Sequence, residues 1–159
     1  MDIDTLNKRV WEEMVYANMR ANYFGDLVRV YQSWDQGIRG AVLLFTSGSV
    51  AAVAADIALL KWGVPILATA GSLWLFLSQY STLSRDANDL AVAWQAIAAR
   101  HERLWNHLTE MDAEDIFNRI HEDAGSLSRQ GSKFPQRDRR LTYWQDHSEK
   151  LLTERYKCA

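Results

Sequence analysis

One cysteine, two prolines and eight glycines occur in 159 residues, and each scarcity excludes something. Cys158, alone beside the C-terminus, supplies neither a disulfide framework nor a cysteine zinc site, and it fits a reducing compartment. With so few helix breakers and 48% apolar residues, the chain is not disordered, collagen-like or a loop-rich β fold, and it reads as mostly helical. Neither sign of charge dominates: 18 Lys and Arg stand against 20 Asp and Glu, so only local patches can carry electrostatics. The length suits one core, or one membrane module with a soluble appendage.

Catalytic signatures are absent as well. His101, His107, His121 and His147 lack metal-ligand spacing, and no phosphate-cradling Gly-rich loop or GxSxG elbow occurs. His101 and His107 lie six apart, off the i, i+4 spacing that shares a helix face. The acidic cluster at 110–115 reads as a helix start complementing its dipole. No enzyme, catalytic residue, metal site or cofactor is expected.

What is present is two long apolar runs. Between Arg39 and Lys61 lie 21 residues with one charge, Asp56, and between Lys61 and Arg85 lie 23 with none. A membrane helix needs about 20 apolar residues at ~1.5 Å rise each, and GAVLLFTSGSVAAVAADIALL (40–60) and WGVPILATAGSLWLFLSQYST (62–82) both qualify. A hairpin buried inside a soluble bundle is the alternative, but such a helix should carry a polar stripe. Trp34, Trp62 and Tyr80 sit near the proposed boundaries, where amphipathic rings favour the headgroup zone. The Lys61–Pro65 connection makes a tight turn. Arginines flank the hairpin on both outer sides while the turn has only Lys61, so both termini are expected in the cytoplasm. The first 35 residues are polar and charged, without a secretory signal.

On either side the text is amphipathic. Leu6, Val10, Met14, Ala17, Ala21, Phe24, Val28 and Tyr31 recur at four-three spacing, with Gly25 weakening the middle. Leu83, Ala87, Leu90, Trp94, Ile97, His101, Leu104, Leu108 and Met111 repeat it over four heptads, which predicts antiparallel pairing with the first helix or a second subunit. His101 in this seam reads as a packed, hydrogen-bonded core histidine, with a ligand or pH sensor as the alternative. Asp112 with Asp115 resembles a capping box opening a helix that ends at Gly125. GSLSRQGSKFPQRDRR (125–140) follows as a basic loop, then a last helix over about 139–157, N-capped by Asp138, with Leu141, Trp144, Leu151 and Leu152 available for burial. The expected organisation is 1–39 (amphipathic helix), 40–82 (transmembrane hairpin), 83–111 (heptad helix) and 112–159 (helical region with the basic loop).

Two features are candidates for function. An ionisable group in a membrane helix usually faces protein or water. Asp56 either snorkels or pairs near the outer interface, or it forms a carboxylate ring around a pore. Helical geometry sets Val42, Phe45, Ser49 and Ala52 within about 40° of it, an expected pore-lining face. Gly48, Ala52 and Ala55, with Ala68 and Ser72 in the second run, form small-residue strips for close helix packing. In the basic loop, Arg129, Lys133, Arg137, Arg139 and Arg140 interleave with Phe134 and abut Tyr143 and Trp144. That composition suits phosphates and stacked bases, with Trp144 the stacking residue, and it equally suits a solvated basic face.

The stretch from WEEMVYANMRANYFGDLVRVYQSWDQGIRG through the hairpin to LAVAWQAIAARHERLW resembles the SLATT family of bacterial two-transmembrane effectors in layout and texture. The resemblance implies an antiphage, nucleotide-signalled effector that oligomerises in the bacterial inner membrane and conducts ions. The basic C-terminal region is outside it. The expectation is an all-α multi-pass membrane protein whose partners are its own copies, such as a tetramer, the lipid bilayer, a nucleotide or single-stranded oligonucleotide, and a separate protein that produces or senses the nucleotide. Two rivals stay open: a membrane-anchored scaffold or exclusion/immunity factor acting by protein binding, and a soluble helical bundle.

Overall fold

The structure is a computed structural model that describes residues 3–54, 69–71, 74, 79–109 and 112–157, the side chains of 45–54 excepted. All regular structure among these residues is helical: α1 Ile3–Ala54, α2 Tyr80–Trp105, α3 Ala113–Gly131 and α4 Asp138–Lys157. They form two compact units, Met1–Asp26 with Ala87–Ala159, and Leu27–Asp86.

The first unit is a four-helix bundle whose directions follow from pairs of touching residues. Trp11 meets Trp105 and Tyr16 meets Trp94, so residue numbers fall on α2 as they rise on α1 and the two are antiparallel. Trp11 with Tyr156, Asn22 with Ser148 and Asp26 with Arg140 set α4 antiparallel to α1 by the same logic. Arg9 lies over Phe117, and Glu13 pairs with His121, so α3 runs parallel to α1. Short connections between adjacent antiparallel helices are what such a bundle requires.

The four-three seam is what this core buries. Leu6, Val10, Met14, Ala17, Ala21 and Phe24 on α1, and Ala87, Leu90, Trp94, Ile97, His101 and Leu104 on α2, are all buried. Met19 and Tyr23 are buried too, a second face that a two-helix heptad pattern does not foresee. Phe117, Ile120 and Ala124 of α3 and Ser148 and Leu152 of α4 are buried with them. Val28 and Tyr31 are only half-buried.

Several boundaries differ from expectation. Gly25 does not break α1, which runs unbroken past residue 39 into the first apolar run. Helix α2 stops at Trp105, short of residue 111, and the chain turns through 106–109. Leu108 is half-buried in that turn, and Met111 lies outside the described residues. Asp112 stands at the N-cap of α3, but its side chain makes no capping hydrogen bond, so there is no capping box. Helix α3 passes through Gly125 to Gly131, because Ala124 and Gly131 still find the core. Of the expected basic loop only 132–137 is non-helical. Leu152 is buried as expected on α4, Leu141 and Trp144 are half-buried, and Leu151 is exposed.

In the second unit Tyr31 stacks on Tyr80 at 6.3 Å. Gln79, with φ 48°, stands just before α2, in the left-handed region that a non-glycine residue adopts at a cost. Tyr80–Thr82, the end of the second apolar run, therefore belong to α2. Among the described residues no helix is long and apolar enough to cross a membrane. Residues 55–68, which hold the end of the first run, the turn and the start of the second, lie outside them.

Candidate functional site

Of the expected pore face, Val42 alone has a described side chain. It is half-buried, and its Cγ2 lies 3.2 Å from the point where a Cβ on Gly71 would sit. Val42 thus packs onto Gly71 in the second apolar run of its own chain. Gly71 is the small residue that admits this contact. It lies between Ala68 and Ser72, the two small residues expected to pack there. Phe45, Gly48, Ser49 and Ala52 fall on α1 without described side chains, and Ala55, Asp56, Ala68 and Ser72 lie outside the described residues.

Large apolar side chains of this unit stand in the open. Leu43 is 69% exposed, Leu44 75%, Trp74 60% and Trp34 59%. Exposed apolar side chains of this size are a feature that a partner or lipid would cover.

The basic segment divides into anchored and free parts. Tyr23 donates its hydroxyl proton to the Pro135 carbonyl and accepts the Arg137 backbone N–H, pinning the 132–137 loop to α1. Phe134 is buried edge-on against Phe24, and a Cβ on Gly131 would meet Phe24 Cζ at 2.9 Å, so glycine is what lets the end of α3 close over that ring. Lys133 lies over the outer face of Phe134. Arg140 is taken by Asp26 at 2.9 Å, which removes it from the expected phosphate set. Arg129, Arg137 and Arg139 are exposed and reach no carboxylate among the described residues. Trp144 is half-buried, edge-on to Tyr143 and to His147. The more open ring is Tyr143, stacked on His147 with 9° between planes. Arg139, Tyr143 and His147 follow one another at i+4 steps along one face of α4, a stripe that a reading centred on Trp144 overlooks.

His101 is packed, as expected, but among the described residues it is not hydrogen-bonded: it is 0% exposed and neither ring nitrogen meets a partner there. Its ring tilts against Phe117, whose other neighbour is the His121 ring. Burial, then the Arg100 guanidinium and His121, push its pKa down to about 4, so the imidazole stays neutral near pH 7. Around it, Arg100 pairs with Asp123 and His121 with Glu13. Trp94 Nε1 is likewise buried without an acceptor among the described residues. No cluster of three or more His, Cys, Asp or Glu residues suited to a metal occurs among the described residues.

No family model, no curated protein and no solved structure matches this chain.

Proposed function

We propose that the chain is a membrane protein that crosses the bilayer through its 40–82 segment and assembles with its own copies. As a channel or pore effector of bacterial antiphage defence, it is gated through the four-helix unit by a nucleotide or oligonucleotide. The observation that carries this reading is the exposure of the Leu43, Leu44 and Trp74 side chains, in segments that hold one charge over 40–60 and none over 62–84. Leaving a leucine in water forgoes ~1.5–3 kcal/mol, and lipid or neighbouring copies would recover it. Trp34, exposed and outside the first run, suits a headgroup anchor. The resemblance to SLATT effectors supports the channel and defence parts of the reading.

The ligand part rests on Arg129, Lys133, Arg137 and Arg139 with the exposed Tyr143 ring. A ligand gates only if it binds one arrangement of the oligomer better than the other. The Tyr143 and Leu151 side chains, both exposed on α4 and eight residues apart on one face, also favour a second reading: a membrane-anchored scaffold or immunity factor whose partner protein covers that stripe.

Two measurements test the proposal. Reporters at residues 1 and 159 should both lie in the cytoplasm and a tag at Gly63 should lie outside, in a protein that resists alkaline carbonate. Termini on opposite sides, or extraction by carbonate, would overturn it. Binding of a single-stranded oligonucleotide should weaken with salt at a log-log slope of about −0.7 per phosphate contacted. Tyr143→Ala should then cost ~1–3 kcal/mol of binding and Trp144→Ala less. Salt-independent binding favours the scaffold.

A further inference from the structure

The end of α2, the turn after it and the first half of α3 border an open cavity of about 410 Å³ lined by Arg100, Arg103, Leu104, His107, Ile116 and Ile120. Its two halves differ in chemistry. Leu104 from α2 and Ile116 and Ile120 from α3 make an aliphatic floor. Arg100, Arg103 and His107 make a rim without a carboxylate among the described lining residues.

The rim is partly fixed in place. Arg100 Nη1 is held by Asp123, which orients the guanidinium and leaves its remaining N–H groups for another acceptor. Arg103 reaches no carboxylate among the described residues. His107 Nδ1 faces the Arg103 carbonyl at 2.8 Å. A carbonyl only accepts, so Nδ1 carries the proton and the ring orientation is set. A guanidinium fork suits a two-oxygen head. The floor offers no aromatic ring for stacking a base and no amide for reading its edge, so a nucleotide gains little there. The volume falls at the small end of the ~300–1,000 Å³ range of ligand sites.

We propose that this cavity binds a short alkyl carboxylate, its head on Arg103 and Arg100 and its chain over Leu104, Ile116 and Ile120. The site is separate from the Arg129–Tyr143 region and does not depend on the channel reading.

Isoleucine-methyl NMR of the full chain in lipid nanodiscs tests it, with hexanoate and 1-hexanol as probes. Hexanoate should shift Ile116 and Ile120 saturably, at a concentration at least tenfold below that needed for hexanol. Arg103→Gln and, separately, His107→Gln alter exposed side chains. The first should raise the hexanoate dissociation constant at least fivefold and leave hexanol unchanged, and the second should raise it about twofold. Equal response to the two probes, shifts at Ile3 or Ile38 as large as those at Ile116, or hexanoate binding untouched by Arg103→Gln would each overturn the assignment.

Discussion

Two glycines on one helix have opposite roles. Around a Cβ built on Gly125 there is nothing within 4 Å, so Gly125→Ala should raise stability by about 0.5–1 kcal/mol through helix propensity alone. A Cβ on Gly131 runs into Phe24 Cζ, and that ring is held by Tyr23 and Phe134. Gly131→Ala should therefore cost about 1–3 kcal/mol, and urea unfolding of the pair reads both signs. His101 gives the molecule a pH dependence. It titrates at about 4 when folded against an ordinary value of 6.5, so the unfolded chain takes up its proton first as pH falls. This contribution to stability is complete above pH ~6.5, is lost progressively as pH falls, and is gone below the folded value of about 4, amounting to roughly 3 kcal/mol. His101→Leu should flatten that part of the curve. A wild-type slope no steeper than the variant's between pH 6.5 and 4.5 would contradict the buried neutral imidazole. That His101 is buried was legible from its place in the heptad. That no partner among the described residues reaches it was not, because sequence spacing says which face a ring occupies and nothing about which polar atoms reach it.

At the scale of elements, the four-three seams were legible because a repeating apolar face can be buried in few ways. They gave the paired residues of α1 and α2 as far as Phe24 and Leu104, and the antiparallel sense. The ends of elements were not. A glycine and a run of arginines suggested a loop from 125, yet Ala124 and Gly131 carry α3 six residues further. Local composition was outweighed by packing against Phe24. The same contact explains why the basic segment is only partly available, since Arg140 and the 132–137 backbone are held by Asp26 and Tyr23, partners more than 100 residues away. Tyr23→Phe removes a hydroxyl that serves both Pro135 and Arg137. It should speed amide exchange at Arg137 by about tenfold and cost about 1–2 kcal/mol overall. Protection at Arg137 unchanged in the variant would mean that the loop is held by Phe134 alone.

At the scale of the molecule, both units expose large apolar side chains, but in different charge settings. In the bundle Ile3, Val92, Tyr143 and Leu151 are exposed on helices rich in charge, while Leu27–Asp86 exposes Trp34, Leu43, Leu44 and Trp74. The sequence showed this through charge: a segment with Asp56 and Lys61 as its only charges between Arg39 and Arg85 has little to offer water. It did not show that Val42 turns toward Gly71, because the register between two apolar runs depends on which small residue admits the closest approach. Gly71→Leu should accordingly separate the two runs at Val42 and lower the yield of folded protein, whereas Gly40→Leu, where nothing stands within 4 Å, should leave it unchanged. The measurement that bears most directly on the proposed channel is cation flux through liposomes holding the purified full chain. The account expects flux well above that of protein-free vesicles, and a changed cation preference in Asp56→Asn with oligomer size unaltered. Vesicles that stay as tight as the protein-free control, with the inserted oligomer present, would contradict it.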